Sequence, residues 1–313
     1  MKAKRSKLSM WLPLAILSML AACLGIISCN DSNAQTEQAK PSEKEEVADN
    51  GPTKVLYVTF EPGKDHKYTP QMNIFKEVAK ANEWEVKVMT GTHDGVIKEL
   101  AENPDFAEGY DVVVYNFCFA HCDNLNVPYN IIEQTKTKGV PAMLVHCALH
   151  SFWPTYKEKG DHAVHAPGAH EKAKTKKELL AKWNKEHPGK EFPAWPKFTG
   201  IASTGHGAQK PIQTVHLVKD HPIVKGTTEY KTVNAELYNN FINADDSKDT
   251  ISIIKGDQGK KSAIILWEHP VGKSKVVSFT LGHGMEEWSQ PEFRQILVNG
   301  VNYLAKSPRS EKK

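Results

Sequence analysis

Gly139-Val-Pro-Ala-Met-Leu-Val-His-Cys-Ala-Leu-His-Ser-Phe-Trp153 is a short apolar run that ends abruptly in reactive side chains. Pro141 to Val145 reads as a strand, and His146, Cys147, His150, Ser151 and Trp153 crowd the turns after it. In an open α/β sheet, ligands bind outside the carboxyl ends of the strands. Apolar packing does not need two imidazoles and a thiol within five positions, so the cluster points to a site.

Upstream, the same pattern repeats. Lys54 to Phe60 is an apolar, β-branched strand, followed by the loop Glu61-Pro-Gly-Lys-Asp-His66. Thr69 can cap a helix to about Asn82, with Met72, Phe75, Val78 and Ala79 at helical spacing. Strands are expected at Trp84–Met89 and Asp111–Asn116, and helices near Val96–Ala101 and Val127–Lys138. This rhythm implies an α/β fold with a mostly parallel central sheet and helices on both faces. Polar clusters end three of the strands: His66, then Asn116 to Asp123, then His146 to Trp153.

Downstream, the rhythm breaks. Residues 157–198 form a long insertion rich in His, Lys, Gly and Pro, with a helix expected around Lys176–Lys185. It reads either as a lid over the sheet edge or as a solvated excursion. Strands resume near Thr199–Ser203, Pro211–Val218 and Glu236–Asn240. Ile251–Lys255 and Ser262–Glu268 read as antiparallel neighbours joined by Gly256-Asp-Gln-Gly259, and Lys275–Leu281 as the last strand. A helix from Pro291 to about Ala305 closes the domain, leaving a charged tail at 307–313.

The N-terminus reads as an address. Lys2, Lys4, Arg5 and Lys7 precede an apolar run from Leu8 to Ile27. Residues 1–28 are expected to be a lipoprotein-type signal peptide, with Cys29 lipidated; Cys23 is the other candidate, and an uncleaved membrane anchor is the alternative. Residues 29–52 are expected to be a disordered tether. Removing the four basic residues from the chain's 40 leaves 36 against 37 acidic ones, a net of −1. Nothing in that balance argues for nucleic acid. The expected location is exported and membrane-anchored, with a homo-oligomer left open. Cys118, Cys122 and Cys147 remain in the domain, an odd number for an oxidising compartment.

Histidine is the dominant reactive type, with 14 in the chain. His66, His146, His206 and His283 stand just past expected strands, so they can converge on one sheet edge. With Glu236 they form a candidate catalytic set of His146, His283, Glu236 and His66. Neutral imidazoles with a carboxylate suit a divalent metal such as zinc, on His146, His206 and His283, or metal-free acid–base work. Trp153, Tyr238 and Trp288 are candidate platforms for a sugar ring, with His150, His206 and Asn116 as further substrate contacts. Cys147 directly after a strand is a rival nucleophile, but Val145 and Leu149 stand where the tight elbow usually has small residues. Cys118 and Cys122 bracket His121 as a candidate redox or metal pair. Asp220-His-Pro-Ile223 reads mainly as a structural turn.

Several of these segments occur in a telling order: Tyr110-Asp-Val-Val-Val114, Leu144-Val-His146 with Ser151-Phe-Trp153, Thr204-Gly-His206, Asp220-His-Pro-Ile223 with Gly226, Glu236-Leu-Tyr238, and Leu281-Gly-His283 with Glu287-Trp288. Together they resemble the trehalose-utilisation (ThuA-like) family over residues 53–306. That resemblance implies a flavodoxin-like, class I glutamine amidotransferase-like layered fold. It also implies a role in carbohydrate metabolism, with a small carbohydrate as partner, around disaccharides and 3-keto-sugars; the chemistry expected of the site is hydrolysis, elimination or isomerisation. A non-catalytic sugar-binding lipoprotein and a Cys147-dependent hydrolase are the alternatives.

Overall fold

Four strands begin the fold: β1 (Lys54–Val58), β2 (Glu85–Met89), β3 (Val112–Tyr115) and β4 (Ala142–Val145). Helices α1 (Tyr68–Ala81), α2 (His93–Glu102) and α3 (Asn126–Lys136) connect them in turn. This computed structural model describes residues 51–63, 65–156, 176–240 and 248–307. The expected leader, Cys29, the tether up to residue 50, residues 157–175 and most of the tail therefore lie outside the described residues.

The second half adds β5 (Gln213–His216), β6 (Ile251–Gln258), β7 (Lys261–Val271) and β8 (Ser274–Phe279). All eight join one sheet in the order β2-β1-β3-β4-β8-β7-β6-β5. From β2 to β8 the neighbours are parallel, and β7, β6 and β5 continue antiparallel. The opening order 2-1-3-4 is the flavodoxin-like one.

Alternation along the strands sets the two layers. In β1, Val55 and Tyr57 join one core cluster while Leu56 and Val58 join the other. Val112 and Val114 against Val113 and Tyr115 in β3, and Met143 and Val145 against Ala142 and Leu144 in β4, divide the same way. Burial on both faces explains why these strands are continuous apolar runs. One layer is completed by Phe75 and Val78 of α1 and by Phe293, Ile296, Leu297, Val301 and Leu304 of the closing helix, Pro291–Ala305. The other layer is completed by Leu100, Ile131 and Trp195.

Three expectations change. Thr199–Ser203 is not a strand: Trp195–Thr199 is a short helix started by Pro196, and Gly200 ends it at φ +75°. Glu236–Asn240 makes only an isolated bridge, His206 to Tyr238, because its neighbours are loop rather than sheet edge. The described part of the insertion packs into the body. Lys176–Glu186 is helical and buries Leu179 and Trp183 against Leu125 and Tyr129. Trp195 donates its indole N–H to the carbonyls of Ala148 and Leu149 at 3.2 and 3.0 Å.

Two turns have identifiable local causes. Gly272 turns the chain between β7 and β8 at φ +56°, where a Cβ would overlap the Lys136 carbonyl oxygen. The Asp220–Ile223 segment is a turn, as expected, but His221 caps it, accepting from the Ile223 N–H at 3.2 Å. Among the described residues, no helix is long and apolar enough to cross a membrane.

Candidate functional site

Since β1, β3, β4 and β8 run parallel, their carboxyl ends share one edge of the sheet. His66 follows β1, Asn116 follows β3, His146 follows β4, and Thr280 to His283 follows β8. The loops around residues 203–210 and 235–239 bring His206 and Glu236 to the same place, held by the bridges His206–Tyr238 and Lys210–Ala235.

His146 is the centre. It directly follows β4 at φ +50°, a left-handed conformation that costs a side chain about 1–2 kcal/mol. A 3₁₀ turn, His146–His150, follows it. The tight elbow is thus at His146, not at Cys147, and the small flank is Ala148. Cys147 is buried, and burial pushes its thiol well above the usual range, so it does not stand as a free, exposed thiolate nucleophile.

Hydrogen bonding fixes the His146 tautomer. Its Nδ1 lies 2.8 Å from the Thr280 carbonyl, which only accepts, so Nδ1 carries the hydrogen; the Tyr238 hydroxyl oxygen stands 3.1 Å from the same nitrogen. Nε2 therefore presents a lone pair. It faces His66 Nε2 at 3.1 Å, His283 Nδ1 at 3.3 Å and Glu236 Oε2 at 3.5 Å. Burial, reinforced by the repulsion of His66, holds His146 well below the usual imidazole range, so it stays neutral. A lone pair opposite a carboxylate is unfavourable unless a positive charge lies between them.

The other donors close the ring. Glu236, itself buried, meets His283 Nδ1 at 3.3 Å and His206 Nε2 at 3.4 Å. His206 places its Nδ1 2.8 Å from the Gly207 carbonyl, so its Nε2 is also a lone pair. The Gln209 amide donates to Glu236 Oε1 at 3.2 Å and to His283 Nε2 at 2.9 Å, so without a cation the His283 hydrogen sits on Nδ1, facing Glu236; binding a cation at Nδ1 requires that hydrogen to move to Nε2 and the Gln209 amide to turn its oxygen towards it. Burial, then the neighbouring His283 and His206, lowers His66 to about 3.

These atoms suit a divalent cation. Tetrahedral ligands at about 2.0–2.1 Å from zinc stand about 3.3 Å apart. The His146–His283, His146–Glu236 and His283–Glu236 separations of 3.3, 3.5 and 3.3 Å match that spacing. Imidazoles pinned through the other nitrogen by a carbonyl are the usual support of a metal ligand, and His146 and His206 both have it. The same groups also suit general acid–base work without metal.

Not every expected residue reaches the centre. Tyr238 lies flat on His150, ring centroids 4.4 Å apart, with its hydroxyl at His146. Trp153 stands at the rim, edge-on to His121 and His150. Trp288 does not line the site: it is fully buried, packs on Phe293 and donates its indole N–H to Gly282 O at 2.9 Å. Asn116 supports from behind, donating to Tyr57 Oη at 2.7 Å and to Gln71 Oε1 at 2.9 Å. Cys118 is not paired with Cys122; its sulfur meets Cys147 instead.

Four contributors escaped the sequence reading. Gln71, fully buried on α1, donates to the carbonyls of Gly282 and His283 at 3.1 and 3.0 Å. A lone amide on the apolar face of α1 was the available signal. Gln209 and the Thr280 carbonyl are the second and third. Glu287 holds the His283 turn by accepting from the Gly282 and Gly284 N–H groups, both at 3.1 Å. Burial pushes Glu287 up to about 7, against those backbone bonds, which pull it down.

Comparison with known proteins agrees with this architecture. A ThuA-like protein from Bacteroides uniformis superposes at TM-score 0.55 with 14% identity, covering 85% of this chain and 95% of that one. A ThuA-like protein from Parabacteroides merdae gives 0.56 and 14%, covering 84% and 93%. At that identity they show a shared fold. No curated protein matches the chain. The ThuA family model, described as trehalose utilisation, matches residues 54–304, from the first residue of β1 almost to the end of the closing helix. The chain therefore belongs to the ThuA family.

Proposed function

We propose that this protein is an exported, lipid-anchored enzyme of carbohydrate metabolism that acts on disaccharides or their 3-keto forms. The observation that carries the reading is the convergence of His66, His146, His206, His283 and Glu236, with donor atoms 3.1–3.5 Å from their neighbours. In this reading His146, His283 and Glu236 hold a divalent cation such as zinc, which polarises a sugar carbonyl or hydroxyl. His66 and His206 stand beside them as imidazoles placed to take or return a proton. Such a set suits proton removal next to a ketone, and so elimination or isomerisation, as well as hydrolysis. The ThuA family's description as trehalose utilisation supports the carbohydrate class. The basic and apolar N-terminus, with Cys29 at its end, supports the anchor.

The test is metal analysis of the purified protein, then a screen of disaccharides and 3-keto-disaccharides with and without chelator. His146→Ala and His283→Ala are expected to abolish turnover while circular dichroism stays unchanged. Full turnover in both variants overturns the assignment. Saturable sugar binding without product would make the protein a binding lipoprotein instead.

A further inference from the structure

Behind the histidine site lies a second cluster that the proposed reaction does not use. The sulfurs of Cys147 and Cys118 are 2.8 Å apart, and His150 Nε2 lies 2.9 Å from the Cys147 sulfur. Cys147 is buried in the 3₁₀ turn, while Cys118 is half-buried in the loop after β3. The third domain cysteine is not part of the cluster: Cys122 approaches the Asn124 carbonyl at 4.0 Å.

The spacing distinguishes two chemistries. Zinc holding two thiolates at about 2.3 Å in a tetrahedron keeps the sulfurs about 3.8 Å apart. The observed 2.8 Å is too close for that and lies within an ångström of the ~2.05 Å disulfide bond. By the same measure the histidine site matches a cation and this one does not.

We infer that Cys118 and Cys147 form a reversible disulfide pair, with His150 as the base that serves its closure. The oxidant is a low-molecular-weight disulfide, such as oxidised glutathione. Cys118 gives its proton to solvent and its thiolate attacks one of the two sulfurs, breaking the small disulfide; this forms a mixed disulfide and expels a thiolate that takes a proton from solvent. His150 Nε2 then takes the Cys147 proton, and the Cys147 sulfur attacks the Cys118 sulfur. The second thiol departs with that proton. The two protein thiols are oxidised to one disulfide, and the one small disulfide is reduced to two thiols. Cys118 is the entry point because it is the more exposed sulfur. The closed bond ties the loop carrying Asn116 to the turn that carries His146 and His150, linking two walls of the site. The inference stands on these sulfur and nitrogen positions and is independent of the proposed reaction.

The test uses the full chain. The protein is incubated with oxidised glutathione, blocked with iodoacetamide, digested and mass-mapped. The expected result is a Cys118 peptide joined to a Cys147 peptide, lighter by two hydrogens than the separate thiol forms, and released by dithiothreitol. Cys122→Ser is expected to give the same product. His150→Gln is expected to slow closure at least about tenfold, with the mixed disulfide accumulating on Cys118. Full alkylation of both cysteines after oxidation overturns the pair, as does a Cys118–Cys122 link or a bound zinc whose removal alone exposes both thiols. Unchanged closure in His150→Gln overturns the role of His150.

Discussion

Gln71→Met probes the support of the His283 arm. Methionine has similar length and fills the same buried position on α1, but it cannot replace the amide. Three bonds are lost: to Gly282 O, to His283 O and from Asn116. At about 1 kcal/mol net each, the loss is about 3 kcal/mol. The extra cost of orphaned groups is limited, because Gly282 O keeps the Trp288 indole N–H and Asn116 keeps Tyr57. Urea unfolding followed by tryptophan fluorescence gives the midpoint shift, and an unchanged slope shows that the unfolded state is the same. Asn116→Leu, alone and combined with Gln71→Met, completes a double-mutant cycle. The shared bond predicts a coupling of about 0.5–1.5 kcal/mol. Additivity within about 0.3 kcal/mol, or a Gln71→Met cost below about 1 kcal/mol, would refute the network. If the cation is present, losing this support is expected to weaken its binding about 10- to 100-fold.

Two further substitutions test features away from the site. Hydrogen bonds from Lys136 and Lys197, at 2.5 and 2.9 Å, lower Glu191 from its usual 4.5 to about 2. The folded pKa is below the unfolded one, so the stabilisation is complete above pH 4.5 and is lost as pH falls towards 2. Glu191→Gln should therefore lower the urea midpoint slightly at neutral pH, the side chain being half exposed, and converge with wild type as the pH falls through that window; a constant gap would count against the ion pairs. Gly272→Ala forces a Cβ into the left-handed region and against the Lys136 carbonyl, at a cost of about 2–4 kcal/mol. Its Tm should fall while metal content stays that of wild type; an unchanged Tm would show that the turn relaxes freely.

The parallel half of the fold was legible because its strands are buried on both faces. Val112-Val-Val114 and Ala142-Met-Leu-Val145 can hardly be anything else, and Phe75 and Val78 mark the inward face of α1. The convergence of histidines followed from strand direction alone: His66 and His146 follow β1 and β4, parallel strands on either side of β3. His283 was reachable for a subtler reason, that β8 inserts beside β4 and runs parallel to it. Sequence reasoning failed where isolated bridges replace ladders. Glu236-Leu-Tyr238 has the alternation of a strand, yet it pairs at single points with a loop. It also misread Trp288, because an aromatic beside a reactive turn looks the same whether it faces a ligand or fills the space beneath. The sequence argued against an elbow at Cys147 but did not place one at His146, since no residue type announces φ +50° when the side chain is histidine.

The donors of the site, His146 included, come from five separate stretches of chain, and one of them follows the last strand. A nascent or clipped polypeptide that has not yet seated β8 beside β4 has neither the Thr280 carbonyl nor His283, and the remaining imidazoles are not held in place. The site is thus a property of the finished topology and of no fragment. Any ligand that needs all five stretches favours the completed sheet over every partly assembled one, so its occupancy would report that the chain has finished folding.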